Sequence, residues 1–177
     1  MGIIIDGKLY SGMSGFAGEF GHNFGYDNQQ ICHCGKKGCI ETEVSCSALY
    51  RKFIERLKNG ESSVLLKEKS IDEIELDDIF NAVEREDVLA IELVEEIGHK
   101  LGRHIGGLIN IFNPEQVIIG GELSKVGDYL LHPVISAIRK HTLNLMYRDS
   151  DIVLSELKEK ANAIGAALLA RSNLFVF

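Results

Sequence analysis

The sequence predicts an α/β protein, and three observations carry that prediction. A β-branched run, Ile3-Ile4-Ile5, breaks at Asp6-Gly7 and resumes as Lys8-Leu9-Tyr10. Apolar residues recur at intervals of three or four from Asp87 to Phe112, where Asn113-Pro114 interrupts them. Directly beyond, Gln116-Val117-Ile118-Ile119 runs into Gly120-Gly121, and another helical pattern follows. Strand patterns alternating with helical ones are the mark of mixed α/β layers.

Taken in order, the opening segment reads as a β-hairpin, because Asp-Gly accepts the backbone conformation of a tight two-residue turn. A domain that opens in mid-strand, directly after Met1, is expected to be the later part of a longer polypeptide. Residues 11–42 then combine a glycine-rich stretch, SGMSGFAGEFGH, with a cysteine cluster. An irregular region of about thirty residues inside a compact domain is usually functional. Val44, Ala48, Leu49, Phe53, Ile54 and Leu57 predict a helix from Glu43 to about Leu57, stopped by Asn59-Gly60. Residues 61–75 are polar and mixed, and Ile79, Phe80 and Val83 mark a short helix from Asp77 to Glu84.

The long pattern from Asp87 to Phe112 carries Leu89, Leu93, Ile97, Leu101, Ile105, Leu108 and Ile111 on its apolar stripe. It also carries Gly98, Gly102, Gly106 and Gly107, each costing about 1 kcal/mol of helix propensity against alanine. Such a stripe is tolerated when another backbone approaches closely. The strand from Gln116 to Ile119, the glycine pair and a helix from about Gly127 to Lys140 form the geometry of a phosphate- or nucleoside-facing turn. A strand from Ile152 to Leu154 precedes a closing helix from about Ala161 to Leu174, which carries Ala163, Gly165, Ala166 and Ala167. Leu174, Phe175 and Phe177 at the end are candidates for a lobe or subunit contact.

Composition narrows the function. A net charge of −7 argues against this chain alone gripping nucleic acid, which needs a concentrated basic face. No run approaches the roughly 18 apolar residues of a membrane span, and no secretory signal opens the chain. A cytoplasmic location is expected. There thiols stay reduced, so Cys32, Cys34, Cys39 and Cys46 read as metal ligands or free thiols before disulfides.

His22, Cys32, Cys34 and Cys39 are spaced H-x9-C-x-C-x4-C. Three thiolates and one imidazole are what tetrahedral zinc takes, and they fill its shell without leaving a position for water. A structural ion is therefore expected, with no hydrolytic role. Gly35 and Gly38 allow the tight turn that returns Cys39 beside Cys34, and Lys36 and Lys37 offset part of the thiolate charge. His33 competes as fourth ligand, but it lies between two ligating cysteines, so His22 is preferred. Cys46 reads as a buried free thiol.

Glu19 and Glu41 flank this knot. An ionised carboxylate only accepts hydrogen bonds, so a pair of them suits the vicinal hydroxyls of a sugar. A metal on one nitrogen of His22 would leave the other as an N–H donor. The alternative reading, that Glu41 caps the following helix and Glu19 is solvated, fits the chemistry equally well.

Together the residues Glu19-x-x-His22, the run Cys32-His33-Cys34-Gly35-Lys36-Lys37-Gly38-Cys39-Ile40-Glu41 and the preceding Gly-Ile-Ile-Ile-Asp-Gly-Lys-Leu-Tyr hairpin resemble the ROK family of sugar kinases and sugar-responsive repressors. Asn113-Pro114-Glu115, Val117 to Gly121 and Gly165-Ala166-Ala167 extend the resemblance over essentially the whole chain, which matches the later half of a family member. It is most like the NagC- and XylR-type transcriptional regulators.

The resemblance implies the C-terminal lobe of an actin-like ATPase, a ribonuclease H-like fold with an inserted zinc-binding loop, over residues 1–177. The N-terminal lobe and any DNA-binding domain would lie outside this chain. Glu19, His22 and Glu41 would contact sugar hydroxyls, while His22, Cys32, Cys34 and Cys39 would hold zinc. Gly120 and Gly121 would be the remnant of a nucleotide turn, and a homodimer is implied.

The departures matter as much. The Asp-x-Gly-x-Thr phosphate loop, the Asn-Asp pair that supplies the catalytic base and the Gly-Thr-Gly stretch have no counterpart here. Glu122 stands where kinase members commonly carry a third glycine. Neither ATP binding nor phosphotransfer is expected of this chain. A regulator's sugar-sensing and dimerisation part is the favoured reading, ahead of half of a sugar kinase and of a zinc-stabilised domain without ligand.

Overall fold

A computed structural model of the protein describes residues 1–157 and 160–174. The hairpin forms as β1 (Ile4–Ile5) and β2 (Lys8–Leu9), with Ile4 opposite Leu9. Asp6 and Gly7 both take positive φ, 51° and 72°, which is the type I′ turn that suits the twist of a two-residue hairpin. A long irregular segment with one 3₁₀ turn, Phe20–His22, leads to α1 (Glu41–Val44) and α2 (Cys46–Lys58). Then come α3 (Leu76–Glu84), α4 (Val88–Phe112), β3 (Gln116–Ile119), α5 (Asp128–His141), α6 (Asn144–Asp149), β4 (Asp151–Leu154) and α7 (Ala161–Leu174).

Helix α4 organises the core. Asp87 caps it, accepting from the Ala90 amide at 2.9 Å, and Asn113 ends it in the left-handed conformation at φ 40° before Pro114. Its Leu89, Leu93, Ile97, Ile105 and Ile109 are buried against Leu49 and Phe53 of α2, Ile79 and Val83 of α3 and Leu130, Val134 and Ile138 of α5. The glycine stripe explains how close α5 comes. A Cβ at Gly102 would lie 2.3 Å from the Val134 carbonyl oxygen, one at Gly98 2.9 Å from the Pro133 side chain, and one at Gly106 2.9 Å from Thr142 Oγ1.

Strands β3 and β4 pair in parallel, Gln116 with Asp151 through Ile119 with Leu154, and α5 and α6 form the crossover. Among the described residues the two strand pairs are separate two-stranded sheets.

Three expectations need correction. The helix expected from Glu43 to Leu57 is two helices, because Ser45 turns extended and caps α2, its hydroxyl accepting from the Ala48 amide at 3.2 Å. Gly107 is not in the close-packed stripe; a Cβ there would meet nothing within 4 Å. One residue past Gly106 is a third of a turn round the helix, away from α5. For the same reason Ile111 is 73% exposed while Ile109 is fully buried. Beyond the glycine pair a 3₁₀ turn over Glu122–Val126 leads into α5, which starts one residue past the expected Gly127. Helix α7 lies where its small residues placed it, but no described side chain in it is buried. Phe175 and Phe177 lie outside the described residues.

Candidate functional site

The cysteine loop folds as a knuckle. The amide of Cys32 donates to the Lys36 carbonyl at 2.8 Å, and the Gly35 amide donates to the Cys32 carbonyl at 2.8 Å. Gly35 and Gly38 take φ of +84° and +77°, and at Gly38 a side chain would also lie 2.4 Å from the Tyr26 carbonyl oxygen. Only glycine fits that position. Isolated bridges join Phe24 to Cys39 and Ile31 to Lys37, and the Ile40 amide donates to the Asn23 carbonyl at 3.0 Å. The segment that follows His22 and the one that carries Cys39 are thereby tied side by side.

These constraints converge on one point. His22, Cys32, Cys34 and Cys39 each offer a donor atom within 4.8 Å of the others. Nδ1 of His22 is 3.5 Å from Cys32 Sγ, and the Cys34 and Cys39 sulfurs are 3.6 Å apart. Tetrahedral zinc with its usual bond lengths requires edges of about 3.5 to 3.8 Å, which these two separations match, and three sulfurs with one imidazole are donors that the ion accepts. His33 is outside the cluster, as the spacing argument expected. No disulfide forms, and all four cysteines are free thiols.

The thiols also sense one another. Burial, with the Cys34 and Cys32 thiols beside it, pushes the Cys39 thiol up to about 11. The backbone N–H of Lys36, outweighing desolvation, helps hold Cys34 below its ordinary range. Crowded thiolates without a cation oppose ionisation, which a divalent ion reverses.

The second nitrogen of His22 faces Glu19. Nε2 lies 3.6 Å from Glu19 Oε2. Glu41, in the first turn of α1, lies so close to Gly21 that a Cβ there would be 2.7 Å from Glu41 Oε2. Glu19 thus lies beside His22 and Glu41 against the neighbouring Gly21, and both Glu19 and His22 are open to solvent, 63% and 41% exposed at the side chain.

Gly120 and Gly121 follow β3. Gly120 packs on Ser155, whereas Gly121, at φ +85°, lines a cleft of about 640 Å³ with Glu122, Lys125, Glu156, Lys160 and Asn162. Glu122 contributes a carboxylate to it and pairs with Lys125 at 4.0 Å. Cys46 opens α2, half-buried as a free thiol, and burial raises its titration.

A charged network beside the site was not foreseen. Glu43, 8% exposed, accepts from Asn28 Nδ2 at 2.8 Å, Lys52 Nζ at 2.8 Å and Lys100 Nζ at 2.5 Å. Glu96 accepts from the same two lysines at 2.6 and 2.7 Å. Burial works against the Glu43 carboxylate, but Lys100 and Lys52 more than offset it and draw its titration down to about 2. The only local sequence signal was the Glu96–Lys100 pair at helical spacing.

An α/β chain with a three-cysteine, one-histidine knot beside carboxylates defines a narrow class. The sequence model of the ROK family matches residues 1–173, and the chain belongs to that family. It is 32% identical to the xylose repressor of Caldicellulosiruptor bescii over 99% of this chain and 44% of that one. A solved ROK family transcriptional regulator, homologous to the Escherichia coli MLC protein, superposes with a TM-score of 0.85 at 34% identity, over 97% of this chain and 42% of that one. A ROK glucokinase from Streptomyces griseus, solved with glucose and AMPPNP, superposes with a TM-score of 0.86 at 32% identity, over 97% and 56%. The chain spans about half the length of these relatives, and regulators and kinases both stand among them.

Proposed function

We propose that this chain is the sugar-sensing and dimerisation lobe, of actin-like architecture, of a ROK-type transcriptional regulator. Its DNA contact would come from an N-terminal segment outside the 177 residues, and its working place is the cytoplasm. The observation that carries the reading is the division of labour at His22, with Nδ1 turned to the cysteines and Nε2 to Glu19. Residues His22, Cys32, Cys34 and Cys39 would hold a structural zinc ion, which supplies charge neutralisation and fixes the His22 tautomer. Glu19 and Glu41 then accept from sugar hydroxyls, and His22 Nε2–H donates to a sugar oxygen. A sugar acts on DNA binding only through a difference in its affinity for two arrangements of the protein.

The regulator reading rests further on Glu122, whose carboxylate in the cleft after β3 repels nucleotide phosphates. The kinase reading draws on the glucokinase likeness and on that same cleft, of a size that holds a small ligand. The native protein purified from its source separates them. Promoter DNA bound and then released by glucose or N-acetylglucosamine is the expected result. Transfer of phosphate from ATP to either sugar would overturn it in favour of a kinase.

A further inference from the structure

We propose that Glu43 is a positioning residue for the sugar site, acting through Glu41 on the same helical turn. The inference rests on the sugar reading above and deepens it.

Helix α1 is four residues long, too short to hold its own shape. Its direction therefore depends on what grips it. Thr42 Oγ1 donates to the Cys39 carbonyl at 2.8 Å, and the Thr42 carbonyl accepts from Arg51 at 2.9 Å. The next residue, Glu43, is gripped from three elements at once. Asn28 reaches it from the cysteine loop, Lys52 from α2 and Lys100 from α4. Asn28 also donates to Thr42 Oγ1 at 3.4 Å, which closes the loop onto the helix.

Glu41 has no ion pair among the described residues, so its carboxylate is aimed by its helix and by its seat on Gly21. Glu43 lies two positions after Glu41, which places them on different sides of a single turn, one against Gly21 and the other toward Lys100 of α4. Releasing Glu43 frees the turn to rotate, and a carboxylate that must accept from hydroxyls loses its aim with a small rotation. The four charges of Glu43, Lys52, Glu96 and Lys100 balance, so the network is complete within the protein and needs no ligand of its own.

The test follows amide NMR signals of Gly21 and His22 in the zinc-loaded chain while glucose or N-acetylglucosamine is added. Glu43→Gln is expected to weaken binding by about ten- to hundredfold, the range seen for groups that orient binding residues, with zinc retained at wild-type stoichiometry. Glu43→Lys combined with Lys100→Glu keeps two charges of each sign, and Asn28 can turn its amide to accept; affinity is expected to recover. An unchanged affinity in Glu43→Gln would overturn the proposal, as would equal loss in the charge-swapped protein. Should Glu43→Gln not fold, Lys100→Gln removes one of the two cations and is expected to weaken binding severalfold, and no weakening there overturns it equally. Absence of any sugar-induced shift in the unaltered protein would instead overturn the sugar reading itself, and this proposal with it.

Discussion

Cys39 is 1% exposed and Cys34 is open to solvent, yet their sulfurs are 3.6 Å apart and their titrations are driven in opposite directions. Such crowding is unfavourable for thiolates alone and favourable once a divalent cation sits among them, because metal affinity then becomes folding free energy. Protein prepared without added metal is expected to carry about one zinc ion per chain by elemental analysis. Cys34→Ser should lose the ion and unfold at lower urea concentration; a zinc-free protein of undiminished stability would refute the metal centre. At Glu43 the effect of pH has a definite sign. Its carboxyl is depressed from 4.5 to about 2, so its pairing stabilises the fold in full above pH 4.5 and is lost as pH falls toward 2. Urea midpoints of the unaltered protein and of Glu43→Gln should therefore converge between pH 5 and pH 2, with the gap widest at the upper end. A gap that stays constant over that range would show the ion pairs to be unimportant for stability.

At the scale of elements, the pairing of α4 with α5 offers two opposite substitutions on one helix. Gly102→Ala puts a methyl group 2.3 Å from the Val134 carbonyl oxygen and 2.8 Å from the Ala137 Cβ, so the helices must separate, at a cost of about 1–3 kcal/mol. Gly107→Ala meets nothing within 4 Å and removes backbone freedom from the unfolded chain, so it should stabilise by about 0.5–1 kcal/mol. Thermal melts of the two variants should bracket the unaltered protein, and a stable Gly102→Ala would mean that the helices are not in close contact. Both positions were readable as part of one glycine-rich pattern, but which glycine faced α5 was not, since that depends on helix phase. The same limit separates what was legible elsewhere. The four candidate metal ligands lie close together in sequence and the turns between them need glycine, so their convergence could be read from spacing. The break at Ser45 was hidden inside a continuous apolar rhythm, α6 is too short for periodicity to show, and the Glu43 network joins residues brought together only by tertiary folding.

Over the whole molecule, apolar burial is concentrated on one side of the fold. Helices α2 to α5 share a continuous core, whereas α7 exposes Ile164, Leu168, Leu169 and Leu174, and the hairpin exposes Ile4 at 64%, Ile5 and Leu9. A helix apolar all round is normally covered, and a two-stranded hairpin is marginal by itself in water. The chain also covers only about half of each relative to which it is similar. Local stability should follow this division, because amides open at a free energy set by how much surface their element buries. Hydrogen exchange of the 177-residue chain is therefore expected to be slowest in α4 and α5, near the limit of global unfolding, and faster by orders of magnitude in Ile4–Leu9 and in α7. If the lobe works within a longer polypeptide, the same amides should slow when that polypeptide is intact, since the added segment then covers their apolar side chains. Equal protection of the hairpin, α7 and α4 in the isolated chain would show that the exposed faces need no cover, and that the fold is complete without a second lobe.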